Sequence, residues 1–287
     1  MSMHFALRSL SAQESRVVLG LTEHGHREVS RQEIIQMLGV IPQAADNVIR
    51  SLRSKGWLER ASWGRYLLVP PDMGPEAVGE GNLLALASRF AEPYYFGYGT
   101  AATHYGMTTQ YRNVIRLVTP TRLRDRCLLD AEVRIVNPVD RKFFGYGPVD
   151  VLGYTVMMSD REKTVIDCID RPELAGGVGE TATILAYASH RIDWYKAADY
   201  LNRIGSIALV RRFGWLVDHV GADIPSDVHG QLHRLAKGSG RAHLGHQRPG
   251  VHAIGYRNIW HLAVHVDERE LRESVGLARR QIASQGM

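Results

Sequence analysis

Cysteine is nearly absent from this chain of 287 residues. Only Cys127 and Cys168 occur, far apart and in no CxxC pattern. That excludes a disulfide scaffold and a cysteine-built zinc site, and it suits a reducing cytoplasm. No run of about 18 apolar residues is present, so no membrane-spanning helix is expected. The opening "MSMHFALRSLSAQES" lacks the apolar core and cleavage site of a secretory signal. Neither sign of charge dominates: the formal balance is +5, a slight tilt toward a polyanionic partner. Apolar residues at 45% and charged residues at 23% place the chain among folded globular proteins, long enough for two domains.

Signatures of catalysis are also missing. There is no P-loop. Gly205-Ser206 is followed by no Asp-x-Asp pair, which a nucleotidyltransferase would use to hold metal. Asp130-Ala131-Glu132-Val133-Arg134 offers arginine where a PD-(D/E)xK nuclease needs lysine. The run from Gly97 to Ala102 fits G-x-G-x-x-A, but "AEPYYF" is a poor buried strand and no acid stands near 117–123. Those glycines read as a tight turn before a helix. His233, His243, His246 and His252 gather in a glycine-rich basic stretch without carboxylate or thiol co-ligands, which reads as a surface loop. No catalytic residue, cofactor or metal is therefore expected.

What is present is clear helical punctuation near the start. Ser11 and Glu14 form an S-x-x-E capping box, Val17, Val18 and Leu21 an apolar stripe, and Gly25 a stop. Ser30 and Glu33 repeat the box; Ile34, Ile35 and Leu38 pack, and Gly39 terminates. Pro42 suits the first turn of a third helix, where its missing N–H costs nothing. Ala45, Val48, Ile49 and Leu52 then share one face, and Gly56 ends the helix. "WLERA" and "RYLLVP" read as short strands around Ser62-Trp63-Gly64. The Pro/Gly-rich "PPDMGPEAVGEG" reads as a linker, dividing the chain into 1–72 and 73–287.

The remainder mixes strands and helices, so the predicted class is α+β: a winged helix-turn-helix followed by a larger mixed α/β domain. Strands are expected at 114–120, 131–139 and 149–158. Ser159 and Glu162 suggest another capping box, opening a helix to about Asp170 that buries Val165, Cys168 and Ile169. Its other face, with Arg161, Glu162, Lys163, Asp167, Asp170 and Arg171, reads as an ion-pair network. Further helices are expected at 179–189, 193–204, 206–220, 225–236 and 267–284, with a late strand in "NIWHLAVHV". The pentads "YFGYG" (95–99) and "FFGYG" (143–147) read as two similar turns.

Three short helices followed by a hairpin, with a Gly-containing turn before the third helix, point to duplex DNA as partner. The free face of that helix offers Gln43, Asn47, Arg50, Ser51 and Ser54, with Arg53 and Lys55 near its end. Asn and Gln can pair with adenine and Arg with guanine, so Gln43, Asn47 and Arg50 are read as base contacts. Arg53 and Lys55 are read as phosphate contacts. A tip bearing Trp63, Arg65 and Tyr66 would reach the minor groove or backbone. Residues 41–69 carry five cations against two acids. Lys196, Arg203, Arg211 and Arg212 are read as a possible second basic surface.

"YYFGYGTAATHYGMTTQ" with "NVIRLVTP", then "YTVMMSDREKTVIDCIDRPELAGGVGE", "ADYLNRIGSIALVRRFGWLVDHVG" and "RNIWHLAVHV", resembles the AbiEi antitoxin family over nearly the whole chain. The resemblance is weakest at 238–258 and in the last helix. It implies a cytoplasmic repressor that binds operator inverted repeats and counteracts a nucleotidyltransferase toxin of a type IV toxin–antitoxin (phage-defence) system without a tight complex. Antitoxicity would lie in the C-terminal domain. Two other readings stand beside it: a ligand-sensing winged-helix transcription factor with no toxin, and a nucleic-acid-modifying enzyme.

Overall fold

A computed structural model describes residues 9–24, 26, 28–62, 64–69, 80–110, 113–128, 131–151, 153–245 and 259–285. The fold is α+β. The chain divides into two compact units, Met1–Glu92 with Asp150–Val156, and Pro93–Val149 with Met157–Met287. The linker read from sequence falls mostly outside the described residues, and the helix after it groups with the first unit.

The first unit runs α1 (Ala12–Glu23), β1 (Glu28–Ser30), α2 (Arg31–Leu38), α3 (Pro42–Ser54), β2 (Leu58–Ser62), β3 (Arg65–Leu68) and α4 (Glu80–Ala87), then a 3-10 turn at Ser88–Phe90. This is a winged helix-turn-helix. Both expected capping boxes form: Ser11 with Glu14, and Ser30 with Glu33, each pair bonding reciprocally. Gly39 takes the left-handed conformation that ends α2, and Pro42 opens α3. Gly25 lies outside the described residues. The stripes from α1, α2 and α3 meet Val29, Trp57, Leu58 and Leu68 in one core. β1 was not legible in the sequence. It pairs antiparallel with β3, giving a three-stranded sheet in the order β1-β3-β2.

The chain continues with β4 (Tyr95–Phe96), α5 (Tyr98–His104), β5 (Val114–Val118), β6 (Arg126–Leu128), β7 (Ala131–Val136), β8 (Tyr146–Val151) and β9 (Tyr154–Ser159), all in the second unit except the β8–β9 hairpin tip, Asp150–Val156, which groups with the first. These strands form a six-stranded mixed sheet in the order β6-β7-β5-β4-β9-β8. The strand expected at 149–158 is instead the two strands β8 and β9. Gly153 makes the reversal at a positive φ of 80°, and its N–H bonds the Asp150 carboxylate at 3.2 Å. A helical layer follows: α6 (Arg161–Asp170), α7 (Pro172–Ala175), α8 (Val178–Ala188), α9 (Trp194–Ile204), α10 (Ile207–Val220) and α11 (Ser226–Leu235). Two short parallel strands, β10 (Ala242–Leu244) and β11 (Leu262–Val264), precede α12 (Glu268–Gln285).

Helix α6 corrects two expectations. Its cap is Asp160, whose carboxylate accepts from the Lys163 N–H at 2.8 Å; Ser159 is the last residue of β9 and bonds the Thr164 hydroxyl instead. Glu162 does not reach back to a cap but accepts from the Asp193 N–H at 2.9 Å. The expected ion-pair network forms in part, through Lys163–Asp167, Glu162–Lys196 and Asp170–Lys142, but it does not occupy a separate face, because Glu162 through Ile169 are all buried. The Lys163 ammonium, fully buried, pairs with Asp167 one turn on and lies 3.2 Å from the Tyr95 hydroxyl, which also bonds Asp167. Burial pushes the Asp167 carboxyl upward, opposed by the lysine beside it. The two pentads meet here: Tyr95 stacks on Tyr146 at 4.9 Å, and the Phe144 ring lies 5.4 Å from the ammonium.

A buried pair of this kind is costly to break on one side and cheap to replace on both. Asp167→Ala is expected to cost about 3–5 kcal/mol, whereas Lys163→Met with Asp167→Leu recovers most of the loss. Urea unfolding of the full chain checks this; an unchanged midpoint in Asp167→Ala would contradict it.

Candidate nucleic-acid interface

Helix α3 has one dry face and one open face. Ala45, Val48, Ile49 and Leu52 are buried in the core of the first unit. Gln43, Asn47, Arg50, Arg53 and Ser54 are exposed on the other side. Arg50 donates to the Asn47 amide oxygen at 3.4 Å, so these two head groups sit together. The 3.6-residue repeat produces this division directly.

The crossing of α2 on α3 is fixed by a bidentate pair, Arg31 to Asp46 at 2.6 and 2.8 Å. The guanidinium holds the Asp46 carboxyl below its usual range. Asp46 therefore sits beside Asn47 with its charge already answered.

At the far end of α3, the Lys55 ammonium is engaged within the unit rather than left free for a phosphate, although 30% of the side chain stays exposed. Its ammonium grips both oxygens of Glu14 at 2.8 and 2.9 Å, and that carboxylate is buried. Burial alone would raise the Glu14 pKa. Hydrogen bonds from Lys55, the Ser11 backbone N–H, and the hydroxyls of Ser51 and Ser11 outweigh it and hold the group at about 2. Ser51 is thus also turned toward Glu14. Both residues are withdrawn from the open face, a correction to the sequence reading. The signal was present in Glu14, but its cap role hid its second one.

The wing is β2–β3, joined through Gly64 at φ 73°. The Gly64 carbonyl accepts from the Arg31 N–H at 2.8 Å, tying the turn to the start of α2. Trp63 lies outside the described residues. Arg65 is open but paired with Glu28 of β1 at 3.1 Å. Tyr66 is half-buried against the helical core, so it serves packing before contact.

The expected second basic surface does not form. Arg211 is only 3% exposed and donates to the carbonyls of Ala236, Gly238 and Gly240, clamping the chain as it leaves α11. Arg212 donates to the carbonyls of His243 and Asp170. Lys196 pairs with Glu162 at 2.8 Å and Asp160 at 3.2 Å. Arg203 stays exposed, its guanidinium 3.8 Å from the Phe144 ring centre. Three of the four cations are thus spent on neighbouring backbone or carboxylates.

His243 bonds His265 at 2.9 Å, and His233 stacks on Trp260 at 4.0 Å. His246 and His252 lie outside the described residues. Among the described residues, no three His, Cys, Asp or Glu side chains are placed to hold a metal ion. Gly97 caps α5, and a Cβ there would approach the Tyr95 ring to 3.0 Å. A cavity of about 340 Å³ in the second unit is lined by Asp170, Glu173, Arg212, His243 and Leu244 among others. Among the described residues, no helix is long and apolar enough to cross a membrane.

Because Glu14 titrates lower in the folded than in the unfolded chain, its contribution is complete above pH 4.5 and is lost as pH falls toward 2. The stability gap between wild type and Glu14→Gln is expected to be about 2 kcal/mol at pH 7 and to close across that window. Denaturant unfolding of both proteins at several pH values measures it; a gap independent of pH would contradict the assignment.

No protein-family model matches the chain, and no curated protein matches it. Among solved structures, the RV2827C protein from Mycobacterium tuberculosis is similar in fold, with a TM-score of 0.67 and 18% sequence identity over 96% of this chain and 98% of that one. At that identity the likeness shows the shared α+β fold and nothing finer.

Proposed function

We propose that the chain is a DNA-binding repressor and antitoxin of a type IV toxin–antitoxin system, acting in the cytoplasm on inverted repeats upstream of its own operon. One observation carries the DNA part. The open face of α3 presents amides and guanidinium groups together, at Gln43, Asn47, Arg50 and Arg53, while Asp46 on the same helix is already paired with Arg31. Such a face suits the major groove, where base edges offer acceptors and donors in pattern. Arg65 on the wing supplies a neighbouring cation. The antitoxin part rests on the resemblance of the second unit's sequence blocks to the AbiEi family. Its partner would be a nucleotidyltransferase toxin, countered without a tight complex.

A second reading is a ligand-sensing repressor with no toxin. The cavity beside Asp170, Arg212 and His243 favours it, since its volume is in the range of small-molecule sites. A melting temperature raised by a small metabolite in a compound screen would support that reading; survival of cells co-expressing the chain with the adjacent toxin would support the first.

Asn47→Ala and Arg50→Ala are each expected to weaken operator binding by about 1–3 kcal/mol and relax sequence preference. Arg53→Ala should weaken binding evenly and reduce the salt slope by about 1. Lys55→Ala, whose charge is spent on Glu14, should leave the salt slope unchanged and lower stability instead. Mobility shifts on the upstream duplex at two salt concentrations separate these outcomes. Unchanged affinity in both Asn47→Ala and Arg50→Ala would remove α3 as the reading element.

A further inference from the structure

Glu28, on β1 beside the wing, occupies an odd place for an acid. Strand β1 runs antiparallel to β3, with Val29 turned into the core and Glu28 and Ser30 on the opposite side. Arg65 sits opposite Ser30, so Glu28 and Arg65 are diagonal neighbours on one face of the sheet. One carboxylate oxygen of Glu28 lies 3.1 Å from Arg65; the other lies 3.6 Å from Arg89 in the 3-10 turn after α4. The acid is largely shielded, with 22% of its side chain exposed, while Arg65 and Arg89 are open at 63% and 53%. One anion thus stands between two cations, both accessible.

We propose that Glu28 sets the DNA affinity of the wing by holding Arg65 until a phosphate replaces it, with Arg89 keeping the carboxylate paired after the exchange; this rests on the DNA-binding reading above. The chemistry is an exchange of acceptors. Arg65 leaves a carboxylate for a phosphate oxygen, and both are anionic, charge-assisted partners. Exposed ion pairs of this kind are weak, so the exchange is readily reversible. Without Arg89, the release of Arg65 would leave a shielded carboxylate with no paired cation among the described residues, which is unfavourable. Glu28 is in this sense a positioning residue: it orients Arg65 on the wing and penalises wing contact with any duplex that engages it poorly.

The test uses the full chain with two probes, the duplex immediately upstream of its coding sequence and a mixed-sequence duplex of equal length. Glu28→Gln is expected to tighten binding about two- to five-fold, proportionally more on the mixed-sequence duplex, with the gain shrinking as salt rises. Arg89→Ala is expected to weaken wild-type binding by a similar factor and to lose most of that effect in a Glu28→Gln background. Melting curves for each variant separate this from a loss of folding. Binding that is unchanged or weaker in a folded Glu28→Gln protein overturns the role of Glu28 and leaves the DNA reading standing. An equal Arg89→Ala effect in both backgrounds also overturns it, because Arg89 would then touch DNA on its own account. A wild-type chain that retards neither duplex overturns both the proposal and the reading beneath it.

Discussion

Glu14 lies buried beneath the C-terminal end of α3, and Lys55 is the cation that keeps it charged there. The winged unit depends on this pair. Glu14 closes the capping box of α1 with one set of bonds and ties α1 to α3 with another. Arg31 with Asp46 performs the same task between α2 and α3. Each pair consumes a cation that composition would credit to a ligand. What remains open on α3, Arg50 and Arg53 beside Gln43 and Asn47, is smaller and more sharply placed than the charge count of the segment suggests. The open cations and the open amides of α3 therefore share one helix face.

The second unit uses its charges inwardly as well. Lys163, Asp167 and Tyr95 form a hydrogen-bonded set in the interior, ringed by aromatic side chains of both Gly-Tyr-Gly-bearing pentads. Arg211 donates to three carbonyls where the chain leaves α11, those of the capping Ala236 and of Gly238 and Gly240 in the turn that follows. Carbonyls left unpaired at a helix end accept readily, and a guanidinium with several fixed N–H groups answers a cluster of them well. These residues specify how helices and turns dock, so their charge says little about a polyanionic partner.

The sequence exposed most of the first unit because its signals are local. Capping boxes at Ser11 and Ser30, the left-handed Gly39, Pro42 and the four-residue apolar face of α3 each act within one or two turns. What it concealed depended on distance. Glu14 and Lys55 are 41 residues apart, Glu28 and Arg65 37 apart, and a window covering 41–69 sees only one member of each. Strand β1 is three residues long and acquires its identity from β3 alone. Helix α6 misled for a related reason. Its polar residues at helical spacing mark an ion-pair network but not its depth: neighbours from β4, the loop after β7 and α9 cover that face and pair with it. Periodicity reports polarity along a helix; it does not report what arrives from elsewhere in the chain.

If the open face of α3 meets a duplex, Arg50 and Arg53 sense it while Arg31 and Arg211 remain at their structural posts. Arginine side-chain NMR of the full chain, recorded before and after addition of the upstream duplex, tests it most directly. The Nε–H signals of Arg50 and Arg53 are expected to move, and those of Arg31 and Arg211 to stay in place. Signals of Arg50 and Arg53 that stay still while arginines of the second unit shift would contradict it.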